Sequence, residues 1–136
     1  MLITRRVEFS ASHRCAVPGW TDEQNQAVFG PEASRYSHGH NYVLEVTLSG
    51  EVDPVTGMIV DLKDVKEVLH REVVDPMDHR DLNAEVPPFD HIVPTPENIA
   101  MEIWRRIVPH FSTPTVSLHE VRLYETEHLY VEYRGE

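Results

Sequence analysis

YSHGHNYVLEV, residues 36–46, sets two histidines one residue apart at the point where an alternating apolar and polar pattern begins. On a β-strand residues i and i+2 share a face, so His38 and His40 point the same way with only Gly39 between them. Tyr42, Leu44, Val46 and Leu48 continue that parity, and the segment from His40 to Gly50 reads as a strand with one buried face. Two imidazoles at the end of such a face are either polar surface or two ligands of a metal site. A third ligand decides between them.

The first twelve residues also alternate, with Ile3, Arg5, Val7 and Phe9 on one face, and the pattern ends near Ser10–His13. If these two strands are antiparallel neighbours, His13 at the end of one lies beside His38 and His40 at the start of the other. Three histidines with an open fourth position are the donor set of a catalytic zinc. Glu45 lends the HxH pair a likeness to half of a cupin iron site, but parity puts Glu45 on the opposite face. The second cupin motif has no counterpart in the chain.

Residues 14–37 form a long polar stretch with Pro18-Gly19 and Gly30-Pro31, and loops of that length are often functional. A turn at 51–57 leads into a short strand, Met58-Ile59-Val60. Asp61 is placed as the N-cap of a helix in which Leu62, Val65, Val68, Leu69 and Val73 recur at helical spacing up to Pro76. Residues 76–94 read as another loop. Thr95-Pro96 then opens a helix with Ile99, Ile103, Trp104 and Ile107 as its buried stripe, and strands are expected near 115–126 and 128–134. The order implies a single α+β domain over 1–136, with two helices on one face of a four-stranded antiparallel sheet. Its two edges favour pairing with other subunits.

Twelve basic and 23 acidic residues give a formal charge of −11, which argues against nucleic acid as a partner. No apolar run approaches the roughly 18 residues of a membrane span, and the N-terminus is not a signal peptide. The single cysteine, Cys15, rules out an internal disulfide and a thiolate-rich zinc cage, and fits a cytoplasmic protein. An anionic substrate would need a local group of cations such as Arg14, Arg35 or Lys63.

In order along the chain stand ASH, a long loop with FG, HGHNY, DPVTGM, DLKDVK, MDHRDLN, PTPENIA and VRLYET. Together these resemble the 6-pyruvoyl-tetrahydropterin synthase family, which includes the 6-carboxy-tetrahydropterin synthases of queuosine synthesis. The resemblance covers essentially the whole chain. It implies the tunnelling fold, in which trimers close a twelve-stranded β-barrel and commonly pair into hexamers, with active sites at subunit interfaces. It implies that His13, His38 and His40 bind Zn2+ and that the substrate is 7,8-dihydroneopterin triphosphate. Asp78 and His79 match a proton-transfer pair, although a loop salt bridge accounts for them equally well. Glu125 matches the family's pterin anchor, where an unaided reading sees a solvated strand end. Thr95 and Glu97 match a second pterin-contacting segment, and both also suit the start of a helix.

The chain departs from the family at its catalytic cysteine. The pyruvoyl-forming enzymes carry that cysteine six residues before HGH, where Glu32 stands here, and the carboxy-forming ones four before, where Ser34 stands. Cys15 lies on the other side of the long loop and reads as a free buried thiol. A glutamate base resembles the branch that releases 6-hydroxymethyl-7,8-dihydropterin for folate synthesis, though that branch places its glutamate nearer HGH, where this chain has Arg35. Glu32 is therefore the candidate base, with a solvated loop glutamate as its plain alternative. The functional expectation is a zinc-dependent lyase of the pyruvoyl or hydroxymethyl type, with a 6-carboxy-tetrahydropterin synthase or a non-catalytic pterin- and zinc-binding barrel as alternatives.

Overall fold

The computed structural model describes residues 1–136. Strand β1 (Leu2–His13) and strand β2 (His38–Gly50) pair antiparallel along their whole length. Between them, where a bare loop is expected, the chain forms helix α1 (Asp22–Phe29) and a 3-10 turn over Gly30–Ala33. Thr21 and Gln24 cap α1 reciprocally. Only Asn25 of that helix is buried, so it has no apolar stripe for periodicity to detect.

Met58–Val60 is a bend and not a strand. The Asp61 carboxylate accepts from the Lys63 N–H and starts α2 (Leu62–Leu69) as expected. A wider π turn over His70–Val74 carries the chain into α3 (Asp75–Met77). The next expected loop contains β3 (Arg80–Asp81) and α4 (Leu82–Glu85). Thr95 caps α5 (Pro96–Ile107), and β4 (Val116–Thr126) and β5 (Leu129–Tyr133) complete the chain. The sheet order is β3-β1-β2-β4-β5. The four expected antiparallel strands are all present, and β3 adds a parallel edge of two residues, too short to carry any alternation.

One face of the sheet packs against α2, α3 and α5. Tyr42, Leu44 and Val46 of β2 meet Val65 and Leu69 from α2 and Ile99, Ile103 and Ile107 from α5 in one buried cluster. The opposite face carries no helix and is polar. Arg6 and Arg122 both reach Glu45, and Arg122 continues to Glu132 at 2.6 Å. Glu45 therefore lies away from the histidines, as parity requires.

A bulge interrupts the β2–β4 ladder, since Leu48 pairs with Leu118 and Thr47 with Glu120, leaving His119 without a partner. Leu118, Val121, Leu123 and Glu125 are all buried as a result. Truncating Leu44 to alanine at the centre of this core is expected to cost about 2–5 kcal/mol. Truncating Val55, which is 91% exposed, should change stability by less than about 0.5 kcal/mol. Urea unfolding of the two variants measures both.

Candidate active site

His13 ends β1 directly opposite His38, and His40 pairs with Ala11. The three rings gather at the end of the core face, with centroids 4.6, 5.1 and 5.0 Å apart. One donor atom from each histidine and one carboxylate oxygen of Glu32 lie within 4.8 Å of one another. His13 is fully buried, and its Nδ1–H donates to the Pro94 carbonyl at 2.7 Å. A carbonyl only accepts, so the proton sits on Nδ1 and the Nε2 lone pair faces the cluster. His38 Nε2, His40 Nε2 and Glu125 Oε2 are buried without any hydrogen-bond partner. Orphaned polar atoms are costly, and three of them around one point are a donor set that suits a cation. Ligands at 2.0–2.2 Å from a tetrahedral ion stand roughly 3.3 Å apart, so small side-chain adjustments bring these donors onto one.

Burial, with added repulsion from neighbouring imidazoles, holds His13 and His40 below the ordinary 6.5; the Pro94 hydrogen bond opposes this at His13 without reversing it. Both rings are neutral, ligand-ready imidazoles at neutral pH. Glu125 approaches from the end of β4, 3.8 Å from His13 Nε2 and 3.8 Å from His40 Nε2. It is 8% exposed. Burial, then the charges of Glu32 and Glu97, push its carboxyl up to about 7. The Tyr42 hydroxyl sits 3.5 Å from His13 Nε2 and was not singled out from sequence, although its i+2 spacing from His40 carries the signal. Burial pushes its pKa up as well, so it stays protonated.

Glu32 lies in the 3-10 turn and brings Oε2 to 2.6 Å from His38 Nε2. The turn is held from two sides. The Cys15 N–H donates to the Glu32 carbonyl at 2.8 Å, and an Arg14 guanidinium N–H donates to the Ala33 carbonyl at 2.8 Å. Strand β1 stops at His13, short of Cys15. The buried Cys15 thiol is pushed up to about 11 by burial and then by Glu32, Glu125 and Glu97, which makes it a poor base and a poor nucleophile.

Asp78 and His79 lie elsewhere. The Asp78 carboxylate accepts from the Ser10 N–H and from His79 Nδ1, both at 2.8 Å, while the His79 N–H donates to the Ser10 carbonyl. The Ser10 hydrogen bond, followed by the one from His79, holds Asp78 below the usual carboxylate range. The His79 imidazole is 83% exposed. It borders an open depression at the β1–β2 end of the sheet, lined by Ser10, Ser12, Asn41 and, at its margin, His40. Within one chain this pair does not meet the three histidines.

The Thr95 hydroxyl accepts from the Asn98 N–H and caps α5, while the Glu97 charge acts on both Glu125 and Cys15. The candidate cations do not enter the cluster. Arg14 is committed to the turn, Arg35 lies over the exposed Tyr36 ring, and Lys63 stands beside Asp61 at the start of α2.

The model of the 6-pyruvoyl tetrahydropterin synthase family matches residues 2–136. The chain belongs to this family. It is 41% identical over 134 residues to a Pongo abelii 6-pyruvoyl tetrahydrobiopterin synthase, covering 98% of this chain and 91% of that protein. A 6-carboxy-5,6,7,8-tetrahydropterin synthase of Rickettsia bellii is 28% identical over 145 residues, covering 95% and 96%. The Caenorhabditis elegans 6-pyruvoyl tetrahydropterin synthase structure superposes with a TM-score of 0.93 at 36% identity, covering 100% of this chain and 96% of that one. The expected tunnelling fold is therefore present. The family's enzymes work in pterin metabolism as lyases. No helix of the chain is long and apolar enough to cross a membrane.

The raised carboxyl of Glu125 has a signed consequence for metal-free protein. Its folded form holds a proton up to about pH 7, whereas the ordinary value is 4.5. Folded protein then binds more protons than unfolded protein between those values, and stability falls as pH rises through the window. Glu125→Gln cannot lose a proton, so urea unfolding in chelator should show its stability gaining on the parent's from pH 4.5 to 7.

Proposed function

We propose that the protein is a zinc-dependent lyase acting on 7,8-dihydroneopterin triphosphate. The observation that carries this reading is the convergence of three imidazole donors and the Glu32 carboxylate beside the buried Glu125. His13, His38 and His40 hold the zinc. When bound, the metal supplies Lewis acidity toward the hydroxyls of the substrate side chain. Glu125 binds the pterin by accepting hydrogen bonds from its amino group and ring N–H, donors that favour its charged form. Thr95 and Glu97, at the start of α5, line the pterin end of the same site.

Glu32 takes the place of the thiol as base. Accepting the proton of the side-chain hydroxyl on the second carbon, it promotes cleavage of the bond between the first and second carbons. The outer two carbons leave as an aldehyde carrying the triphosphate, and a proton returned to the first carbon gives 6-hydroxymethyl-7,8-dihydropterin. A thiol base needs its pKa lowered from about 8.5, whereas a glutamate base needs its own raised from roughly 4.3 by burial. Asp78 and His79 act in the site of a neighbouring copy, since the His79 ring is solvent-facing and stands outside the group of donors formed by its own chain's histidines. A homo-oligomer, trimeric or hexameric, is then part of the active unit.

A second reading keeps the three-carbon side chain and eliminates triphosphate to give the 6-pyruvoyl product. The 41% identity to a 6-pyruvoyl tetrahydrobiopterin synthase favours it. Mass spectrometry of the product from zinc-loaded protein and 7,8-dihydroneopterin triphosphate separates the two. A one-carbon side chain is expected, and retention of all three carbons selects the second reading. At saturating zinc, Glu32→Gln should lower turnover by at least about 100-fold, the scale of a general base. His79→Ala should lower it without altering zinc content. Absence of turnover by the parent protein leaves a pterin-binding barrel.

A further inference from the structure

Beyond its role as a base, Glu32 stands in the group of donors that can reach one ion. Three of those donors are fixed on strands, whereas Glu32 is carried by a turn and its side chain is 46% exposed. Its Oε2 lies 2.6 Å from His38 Nε2, yet that nitrogen has no aligned hydrogen-bond partner. At 2.6 Å the two atoms are closer than the roughly 3.3 Å between ligands of one tetrahedral ion, and rotation of the half-exposed Glu32 side chain opens that gap while keeping all four donors within reach of one point. Glu125 approaches no closer than 3.8 Å to His13 and His40 and stands on a strand, β4.

The backbone is shaped for this approach. Gly30 adopts φ 59 and ψ −134, a region that only glycine occupies at low cost. The bonds from Cys15 and Arg14 then pin the turn from the β1 side. The aim of Glu32 is thus fixed by its backbone, while its own torsions stay free.

We infer that Glu32 is a fourth ligand of the resting metal centre and is released when the pterin side chain arrives. This rests on the zinc site proposed above. Three imidazoles and one carboxylate make the four-ligand set of a closed centre. A carboxylate held by the metal is not free to take a proton, so the idle site is inactive. Substrate oxygens that replace it leave a free carboxylate on a half-exposed turn, beside the groups whose protons it must accept. Binding of substrate and arming of the base become one event.

The test compares full-length parent, Glu32→Ala, Glu32→Gln and His40→Ala by zinc competition against a chromophoric chelator and by the visible bands of the cobalt-substituted proteins. Geometry around cobalt is reported directly by those bands. The two Glu32 variants are expected to bind zinc more than about 100-fold more weakly than the parent, beyond what a residue that only orients a ligand contributes, and to show altered cobalt spectra. Saturation with 7,8-dihydroneopterin should then make the parent and Glu32→Ala spectra converge. Unchanged cobalt spectra in the Glu32 variants, whatever their zinc affinity, overturn the ligand assignment, provided His40→Ala still loses the metal. Spectra that remain different with the pterin bound overturn the release step. Parent-like zinc binding by His40→Ala overturns the metal centre itself.

Discussion

The register of β1 against β2 is the constraint on which the rest of the molecule depends. Twelve consecutive pairs run from Leu2 opposite Ser49 to His13 opposite His38. Apart from Arg5, their core face is apolar until its last rungs, where the imidazoles begin. A slip by one residue would turn His38 and His40 to the charged face while sending Glu45 into the core. The apolar residues that stabilise the fold therefore also set the positions of the metal donors, and the site needs no separate machinery to assemble it.

That economy leaves an electrostatic problem. The chain is strongly acidic, and Glu32, Glu97 and Glu125 all act on the same small volume. Arg14, the nearest candidate cation in sequence, is occupied with the turn. Such a cavity repels an anionic substrate unless a positive charge resides there, and a divalent ion held by neutral imidazoles would provide one. The low titration of His13 and His40 and the raised value of Glu125 both arise from burial. Each prepares its group for a partner that the protein chain alone does not provide.

Sequence showed what repeats. The alternation in β1, β2, β4 and β5, the Asp61 and Thr95 caps and the stripe of α5 all follow from period and cap chemistry, and the HxH spacing follows from strand parity. It hid what lacks a period. Helix α1 buries almost nothing, β3 is two residues long, and the Pro94 carbonyl that fixes the His13 tautomer has no side chain to betray it. The approach of Glu32 to His38 depends on a glycine dihedral and on hydrogen bonds from the Cys15 N–H and the Arg14 guanidinium to the turn's carbonyls, none of which spacing can reveal. Asp78 and His79 were legible as a motif but not as a location, because spacing does not tell that their loop is held to Ser10 on β1 and not beside the three rings.

The bulge at His119 bears on how this family of chains tolerates change. Leu118 and Glu125 are seven residues apart, an odd count that a regular strand would send to opposite faces. The unpaired His119 is a spare link that brings the two back into phase. Losing that link would leave a plain strand with both residues still facing inward. One residue gained between the bulge and Glu125 would instead turn the carboxylate into the charged ladder, silencing the pocket while every residue that builds it stays the same. At His119 the strand can lose a residue and keep its faces in phase, whereas between there and Tyr124 the paired ladder leaves no such slack.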